Sequence, residues 1–433
     1  MSNMSIFSRI MCRIEPGIFV GLALVVFLVL PAKARAQSPN VYVTNNFSNT
    51  VSVIDPATHN LVTTISGFNS PVGVAVSPDG TRVYVVNSNP NPGTVSVINT
   101  ATNTIIATIT VGNGATLAAM SPDGKHVYVP NSNAGTVSVI DTGTNRVTAT
   151  VTVGGAPVGV VVTPDNAHVY IANFSNSVNV VATATNTVTA NITHSSMSGP
   201  LVAAITPDGK TVYVSNEISN KITVISTATN VVTAVIPVGQ IPDGLAVTPD
   251  GTRLYVSNGA DSTVSVISTA TNTVTLTIPG FNGPQGMAVT GDGAQVFVTN
   301  TVADTVSAIS TATNKIAASS ATGQMPSFAA IFQCHILTFS FNPATVRLGN
   351  SSNLNATIRS CSSSTQNVVF NWTMTGPCVN QSGSTPMVVT PGSSQNLSFP
   401  ITMACTGQLI LTVTTILNGV QIDSESAVLT VTP

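Results

Sequence analysis

Charge is scarce in this sequence: Asp, Glu, Lys and Arg make up 6% of its 433 residues, against roughly 25% in an average soluble domain. The scarcity excludes a nucleic-acid surface, which needs a basic stripe to neutralise phosphates. It also excludes a disordered chain of the usual kind, rich in charge and poor in β-branched residues. Long apolar runs are missing as well. The longest, Ile18–Leu30, has 13 residues and as a helix would reach about 20 Å, short of the roughly 30 Å hydrocarbon core. Tryptophan occurs once, at Trp372. No GxSxG, GxGxxG or Walker loop is present, so the nucleophile-elbow and phosphate-cradle chemistries find no support. The histidines His59, His126, His168, His194 and His335 are scattered through the repeats and the tail. They suggest neither haem ligation nor a metal triad.

The N-terminus reads as a separate object. Arg9 and Arg13 precede the apolar run, and Ala34-Arg35-Ala36 follows it. A basic flank, a short apolar stretch and a small-x-small site predict a signal peptide over residues 1–36, with Gln37 first in the mature chain. Without the four basic residues and one acidic residue of that segment, the remainder has 9 basic and 14 acidic residues, a formal charge of −5. The expected location is therefore extracellular or in the cell envelope, the periplasm included, with no membrane insertion after cleavage and no nucleic-acid partner. Cys12 leaves with the signal, and Cys334, Cys361, Cys378 and Cys405 all fall in the last hundred residues. An even number of cysteines confined to one segment predicts disulfides in an oxidising compartment.

What the chain has in abundance is repetition. Tyr42, Tyr84, Tyr128, Tyr170, Tyr213, Tyr255 and Phe297 head seven copies of an aromatic-hydrophobic-x-Asn motif spaced by 42 to 44 residues. The fourth position is always asparagine: Asn45, Asn87, Asn131, Asn173, Asn216, Asn258 and Asn300. Within the unit beginning at Pro157, four strands are predicted at 158–163, 169–172, 177–181 and 187–192, separated by polar turns. A four-stranded sheet apolar on both faces cannot stand alone in water. Stacking such sheets radially buries both faces, and a period near 42 matches a propeller. The repeats open on Val41-Tyr42-Val43, a second strand with no first strand before it. Residues 326–332 align with first strands such as 71–76, which predicts that the first sheet takes its inner strand from the far end of the array.

"VYVTN" at Val41, with "YVVN", "YVPN", "YIAN" and "YVSN" later and recurring "SPDG", "TPDG" and "TATN" turns, resembles the YVTN family of β-propeller repeats. The departures are Phe297 for Tyr, Asn166 for the turn Gly and Gly291 for the turn Pro. The resemblance implies an all-β fold, a seven-bladed propeller with three-plus-one closure over residues 37–333. It also implies kinship with surface-layer and extracellular proteins.

Residues 334–433 have a different texture, short strands with Trp372 on the third, and resemble an immunoglobulin-like β-sandwich. Strand order in such a sandwich puts Cys334 and Cys361 at one end and Cys378 and Cys405 at the other, predicting those two pairings among the three that four cysteines allow. A zinc site finds no CxxC to support it.

Propeller ligands sit on the face of the inter-blade and second-to-third-strand loops. Glu217, Asp243, Asp261 and Asp304 fall there in this register, as candidate ligand-binding residues. Oxygen ligands from adjacent loops suit Ca²⁺; the bland reading is solvated loop acids that keep a charge-poor protein soluble. The seven repeat asparagines read as structural, each bonding its own loop backbone. No catalytic residue and no cofactor are predicted. The expectation is a secreted or cell-surface binding or structural protein whose propeller face takes an extracellular polysaccharide or protein. The alternative is an enzyme of lactonase or quinoprotein-dehydrogenase type, with a metal or cofactor at the channel mouth.

Overall fold

The computed structural model describes residues 40–331 in full and, beyond them, the backbone of strands between Leu337 and Thr432. The signal-peptide segment 1–36 lies outside the described residues. So do Cys334, Cys361, Cys378 and Cys405, and with them the disulfide pairing.

Seven four-stranded antiparallel sheets fill residues 41–331. They are the blades of a propeller, numbered here from the sheet that contains Tyr42. Exposure grows outward within each blade. In blade 6 the inner strand Pro242–Val247 and second strand Arg253–Asn258 are almost wholly buried, as is most of the third, Thr263–Ser268. Only the fourth, Thr273–Pro279, faces solvent. Valine and isoleucine dominate the two middle strands because both of their faces meet a neighbouring blade, and β-branched side chains suit a pleated buried surface.

The junctions between blades form the core. One apolar cluster joins Tyr42, Val51 and Val53 of blade 1 to Val74, Val83 and Val85 of blade 2, and each later junction repeats the pattern. The ring closes as the repeat ends predict. Pro326–Ile331 pairs with Val41–Asn45, aligning Val41 with Ile331 and Val43 with Ala329. The Thr44 hydroxyl donates to Phe328 O at 3.1 Å, and the Asn46 N–H to Met325 O at 3.0 Å. Val41, Val43 and Ile331 then pack on Ala288, Phe297 and Val306 of blade 7. Closure leaves no inner strand without a partner, which removes the exposed edge an open array would present.

The Asp-bearing turns between first and second strands are self-contained. In one of them the Thr206 hydroxyl donates to Asp208 Oδ1 at 2.6 Å, and the Lys210 N–H donates to the same oxygen at 3.1 Å. Asn166 fills the turn glycine's place at φ 60°, a conformation asparagine tolerates. Its side chain accepts the Asp123 N–H of the preceding blade at 3.0 Å.

Beyond the propeller, strand backbones form one sheet of three strands and one of five. Val379–Val389 pairs with Gln366–Gly376. Among the described residues no helix is long and apolar enough to cross a membrane.

Candidate active site

Strand direction assigns each loop to a face. Inner strands start where second strands end, as Pro242 opposite Asn258 shows. The inter-blade loops and the second-to-third-strand loops therefore share one face, the mouth. The Asp-bearing turns lie on the other.

Just inside the mouth, the ladder between first and second strands slips. In blade 6 the pairing runs from Pro242↔Asn258 to Leu245↔Val256, so Asp243 and Gly244 together oppose Ser257. This is a β-bulge, a device that re-aims a side chain. Ser257 repairs the ladder: its hydroxyl accepts the Gly244 N–H at 2.8 Å and donates to Gln285 O of blade 7 at 2.6 Å. The two inner strands touch at Gly244, where an added Cβ would sit 2.2 Å from Gln285 O. That contact sets the Gln285 side chain beside Asp243.

Asp243 is 8% exposed. Burial pushes its carboxyl up to about 7; a side-chain hydrogen bond with Gln285 works against the rise, and the charge of Glu217 adds to it. Asp243 Oδ1 and Gln285 Oε1 are both buried acceptors without a partner. Such oxygens are costly to leave bare, and a proton on Asp243 turns one of them into a donor. A carboxyl poised near neutrality in a channel wall is the kind of group that moves protons in catalysis.

The same strand position recurs around the channel. It holds Gln285 in blade 7 and Ser327 in blade 1, which continue the polar arc from Asp243. It holds Val72, Thr116, Val158 and Leu201 in blades 2 to 5, so the remaining arc is mostly aliphatic. Val72, Leu201 and Phe328 pack with Leu117 and Val202 in one apolar cluster.

Of the four acids expected at the mouth, the structure brings Glu217 and Asp243 within electrostatic reach. The other two are engaged by the neighbouring inter-blade loops. Asp261 Oδ2 accepts the Gln240 N–H at 2.7 Å, and Asp304 Oδ1 accepts the Met325 N–H at 2.8 Å. Asp304 has φ 54° and stands where Asn49 and Asn220 stand in other blades; both of those accept an inter-blade N–H in the same way. Among the described residues no three His, Cys, Asp or Glu side chains gather as a metal site would require. Gln285 and Ser327 were not singled out in the sequence. The signal that could have found them is their place one residue after the proline that opens the inner strand in every blade but the third.

The repeat asparagines bond differently from expectation. Each amide donates across to the third strand, Asn131 to Ser138 at 2.9 Å and Asn258 to Ser265 at 2.9 Å, with Asn173 donating to Asn179. In Asn131 the carbonyl oxygen also accepts the inter-blade Gly112 N–H at 3.0 Å. These side chains clamp loop to sheet.

One backbone conformation at the lip is strained. The residue before the inner-strand proline is left-handed in several blades and is glycine at Gly199 and Gly283. In blade 6 it is Ile241, at φ 54°. A β-branched residue there costs roughly 1–3 kcal/mol, and it stands two residues from Asp243.

A cleft of about 480 Å³ opens on the opposite face between blades 2 and 3, lined by Asp79, Arg82, Tyr84 and Asp123 among others. Its arginine is engaged, Arg82 Nη1 donating to Thr142 O at 2.6 Å. The cleft lies at the far ends of the strands from Asp243.

Residues 146–290 match the family model "Lactonase, 7-bladed beta-propeller". That segment holds Glu217, Ile241, Asp243 and Gln285. A stretch of 39 residues is 62% identical to the PE-PGRS family protein PE_PGRS18 of Mycobacterium tuberculosis, covering 9% of this chain and 8% of that protein. The fold is similar to that of Kuenenia stuttgartiensis hydrazine synthase, with a TM-score of 0.57 and 21% identity over 63% of this chain and 93% of that one. It is also similar to a candidate 6-phosphogluconolactonase from Bacteroides uniformis, with a TM-score of 0.59 and 17% identity over 68% of this chain and all of that one. The lactonase match overturns the expectation of a non-catalytic binding or structural protein, and favours the enzyme alternative.

Proposed function

We propose that the propeller is a lactone hydrolase working at the channel mouth, with Asp243 as the group that moves the proton. The observation that carries this reading is a carboxyl held near neutrality by burial, in the inner strand of a blade inside the lactonase-matching segment. A carboxylate with a pKa near 7 is a competent general base at neutral pH.

In this reading ionised Asp243 takes a proton from water as the water oxygen bonds to the lactone carbonyl carbon. Gln285 and Ser327, next along the polar arc, offer neutral donors to the carbonyl oxygen as charge develops on it. The ring C–O bond then breaks, and the proton held by Asp243 passes to the departing alkoxide. Water is consumed and one hydroxy acid is formed, with no redox change and no further reactant. Glu217 raises the basicity of Asp243 through its charge, and Ser257 and Gly244 hold the bulge that aims it.

We read the repeats as YVTN type, supported by the seven coordinated motifs. The strands beyond the propeller we read as an immunoglobulin-like sandwich, supported by their partition into two sheets.

Acid release from γ-butyrolactone, followed by pH-stat with the purified chain, tests the reading. Wild type is expected to turn over with a rate that climbs through pH 7. Asp243→Asn is expected to lose about 100-fold or more. Absence of turnover by wild type, or full activity in Asp243→Asn, refutes it.

A further inference from the structure

We infer that the substrate is an uncharged lactone bearing an apolar substituent, which lies against a crown of exposed apolar side chains on the lip around Asp243. The inference rests on the lactonase reading and adds the substrate class.

Two independent observations carry it. The first is where the apolar side chains lie. Phe174 of blade 4, Ile218 of blade 5, Ile241 between blades 5 and 6, Val302 of blade 7 and Phe47 of blade 1 are all exposed, Phe47 and Val302 to 70%. All five belong to loops of the mouth face. They run through consecutive blades on both sides of blade 6, which carries Asp243. The corresponding loops of blades 2 and 3, residues 88–93 and 132–135, are built from Ser, Asn, Pro, Ala and Gly. The other exposed large apolar residues, such as Val62, Ile106 and Leu276, lie on outer strands; those of the mouth face fall on this arc, as a binding surface would place them. Ile241 strengthens the case. Five other blades place Ser, Gly or Met at its position, and Gly114, Gly199 and Gly283 meet the left-handed conformation without cost. A strained β-branched side chain kept on the lip, 44% exposed, gains nothing for the fold. Strain of this kind collects where function uses the side chain.

The second observation is the distribution of cations. Among the described residues Arg82, Lys125, Arg146, Lys210, Arg253 and Lys315 all stand in turns or at strand starts of the face opposite the mouth. Lys221, which opens a third strand, is the one lysine or arginine on the mouth side of the described residues, where His194 of an inter-blade loop also stands. Glu217 and Asp243 set the local sign of charge. A phosphorylated sugar lactone would bring an anion to a site with no arginine fork to receive it. A neutral ring with an alkyl or aryl tail meets the polar arc with its ester and the crown with its tail.

The test compares γ-butyrolactone with γ-decalactone, which carries the same ring and a hexyl tail, and adds 6-phosphogluconolactone as the anionic case. The tailed lactone is expected to exceed γ-butyrolactone in kcat/KM by about tenfold or more, since buried methylenes bind tighter. The phosphorylated lactone is expected to be the poorest of the three. Ile241→Gly and Val302→Ser are each expected to lower the decalactone-to-butyrolactone ratio about fivefold, mainly through KM. Ile241→Gly is expected to raise Tm at the same time. Equal kcat/KM for the two neutral lactones, or a ratio untouched by both substitutions, overturns the inference and leaves the lactonase reading standing. Calorimetric binding separates the two claims from the other side. Wild type that hydrolyses no lactone but still binds γ-decalactone more tightly than γ-butyrolactone sinks the hydrolase reading and upholds the apolar crown.

Discussion

Phe297 of blade 7 faces His59 of blade 1 across the junction that closes the ring, their ring centroids 6.2 Å apart. At five other junctions the equivalent positions hold a tyrosine whose hydroxyl donates to an asparagine of the next blade. Examples are Tyr42 to Asn103 at 3.0 Å and Tyr255 to Asn314 at 2.6 Å. The closing junction changes both partners together. Phenylalanine has no hydroxyl to give, and the histidine puts a ring where the amide stood. His59 Nε2 lies 2.7 Å from Gln295 Oε1, and the His59 carbonyl accepts the Ser320 hydroxyl.

Restoring the common pair should therefore require both changes. Phe297→Tyr and His59→Asn are each expected to lower stability alone. Combined, they are expected to recover about 1 kcal/mol of coupling, the worth of one hydrogen bond. Urea unfolding of the four proteins in the cycle measures it, and additive effects would count against a shared contact.

Asp243 makes stability depend on pH in a definite sense. Its folded pKa of about 7 stands above the ordinary value of 3.8. Between those pH values the unfolded chain has released the proton while the folded chain keeps it. Its stabilising contribution is thus complete below pH 3.8, falls as pH rises, and is gone above pH 7. Asp243→Asn removes that penalty, and at pH 8 it is expected to be more stable than wild type, by on the order of 4 kcal/mol at most. Thermal melts of both proteins from pH 4 to pH 8 check this; a difference that does not grow with pH refutes it.

Gly244→Ala puts a methyl group 2.2 Å from Gln285 O. The inner strands of blades 6 and 7 must then separate, at a cost of about 1–3 kcal/mol. Because Asp243 is the neighbouring residue, hydrolytic activity is expected to fall further than stability does. Side-by-side Tm and kcat measurements distinguish misplacement of the carboxyl from simple unfolding.

Asn131→Ala removes two amide hydrogen bonds, to Thr136 at 3.1 Å and Ser138 at 2.9 Å, and the acceptor for the Gly112 N–H at 3.0 Å. A loss of about 2–4 kcal/mol is expected. Faster hydrogen exchange should appear in the loop at 112–114, and a variant as stable as wild type would show the clamp to be ornamental.

Much of the fold is legible in the sequence because its causes are local. The strands of the unit at Pro157 were predicted within a residue or so of their observed bounds, since alternation and turn residues act over a few positions. The unpaired opening strand at Val41 and the surplus strand at Pro326 together foretold the closure. The candidate site was only partly legible. The repeat register assigns Asp243, Asp261 and Asp304 alike to the mouth, yet one is buried in an inner strand and two accept backbone N–H groups of the neighbouring inter-blade loops. The bulge opposite Ser257 and the approach of Gln285 from the next blade separate them; Gly244, beside the aspartate, permits that approach, but the partner it admits belongs to another repeat. Val379–Val389 carries little trace in the sequence, because its Asn, Gln, Ser and Gly residues give no apolar alternation.

The sequence by itself determined the blade count, the strand order within each blade and the way the ring shuts. Period, alternation and turn chemistry are properties of neighbouring residues, and closure needs only that one strand be surplus where another is lacking. The tertiary structure alone decided which carboxyl would hold its proton near neutrality and which apolar side chains would crowd one arc of the mouth. Both depend on how much water is excluded by segments dozens of residues apart, and a local pattern does not encode that quantity.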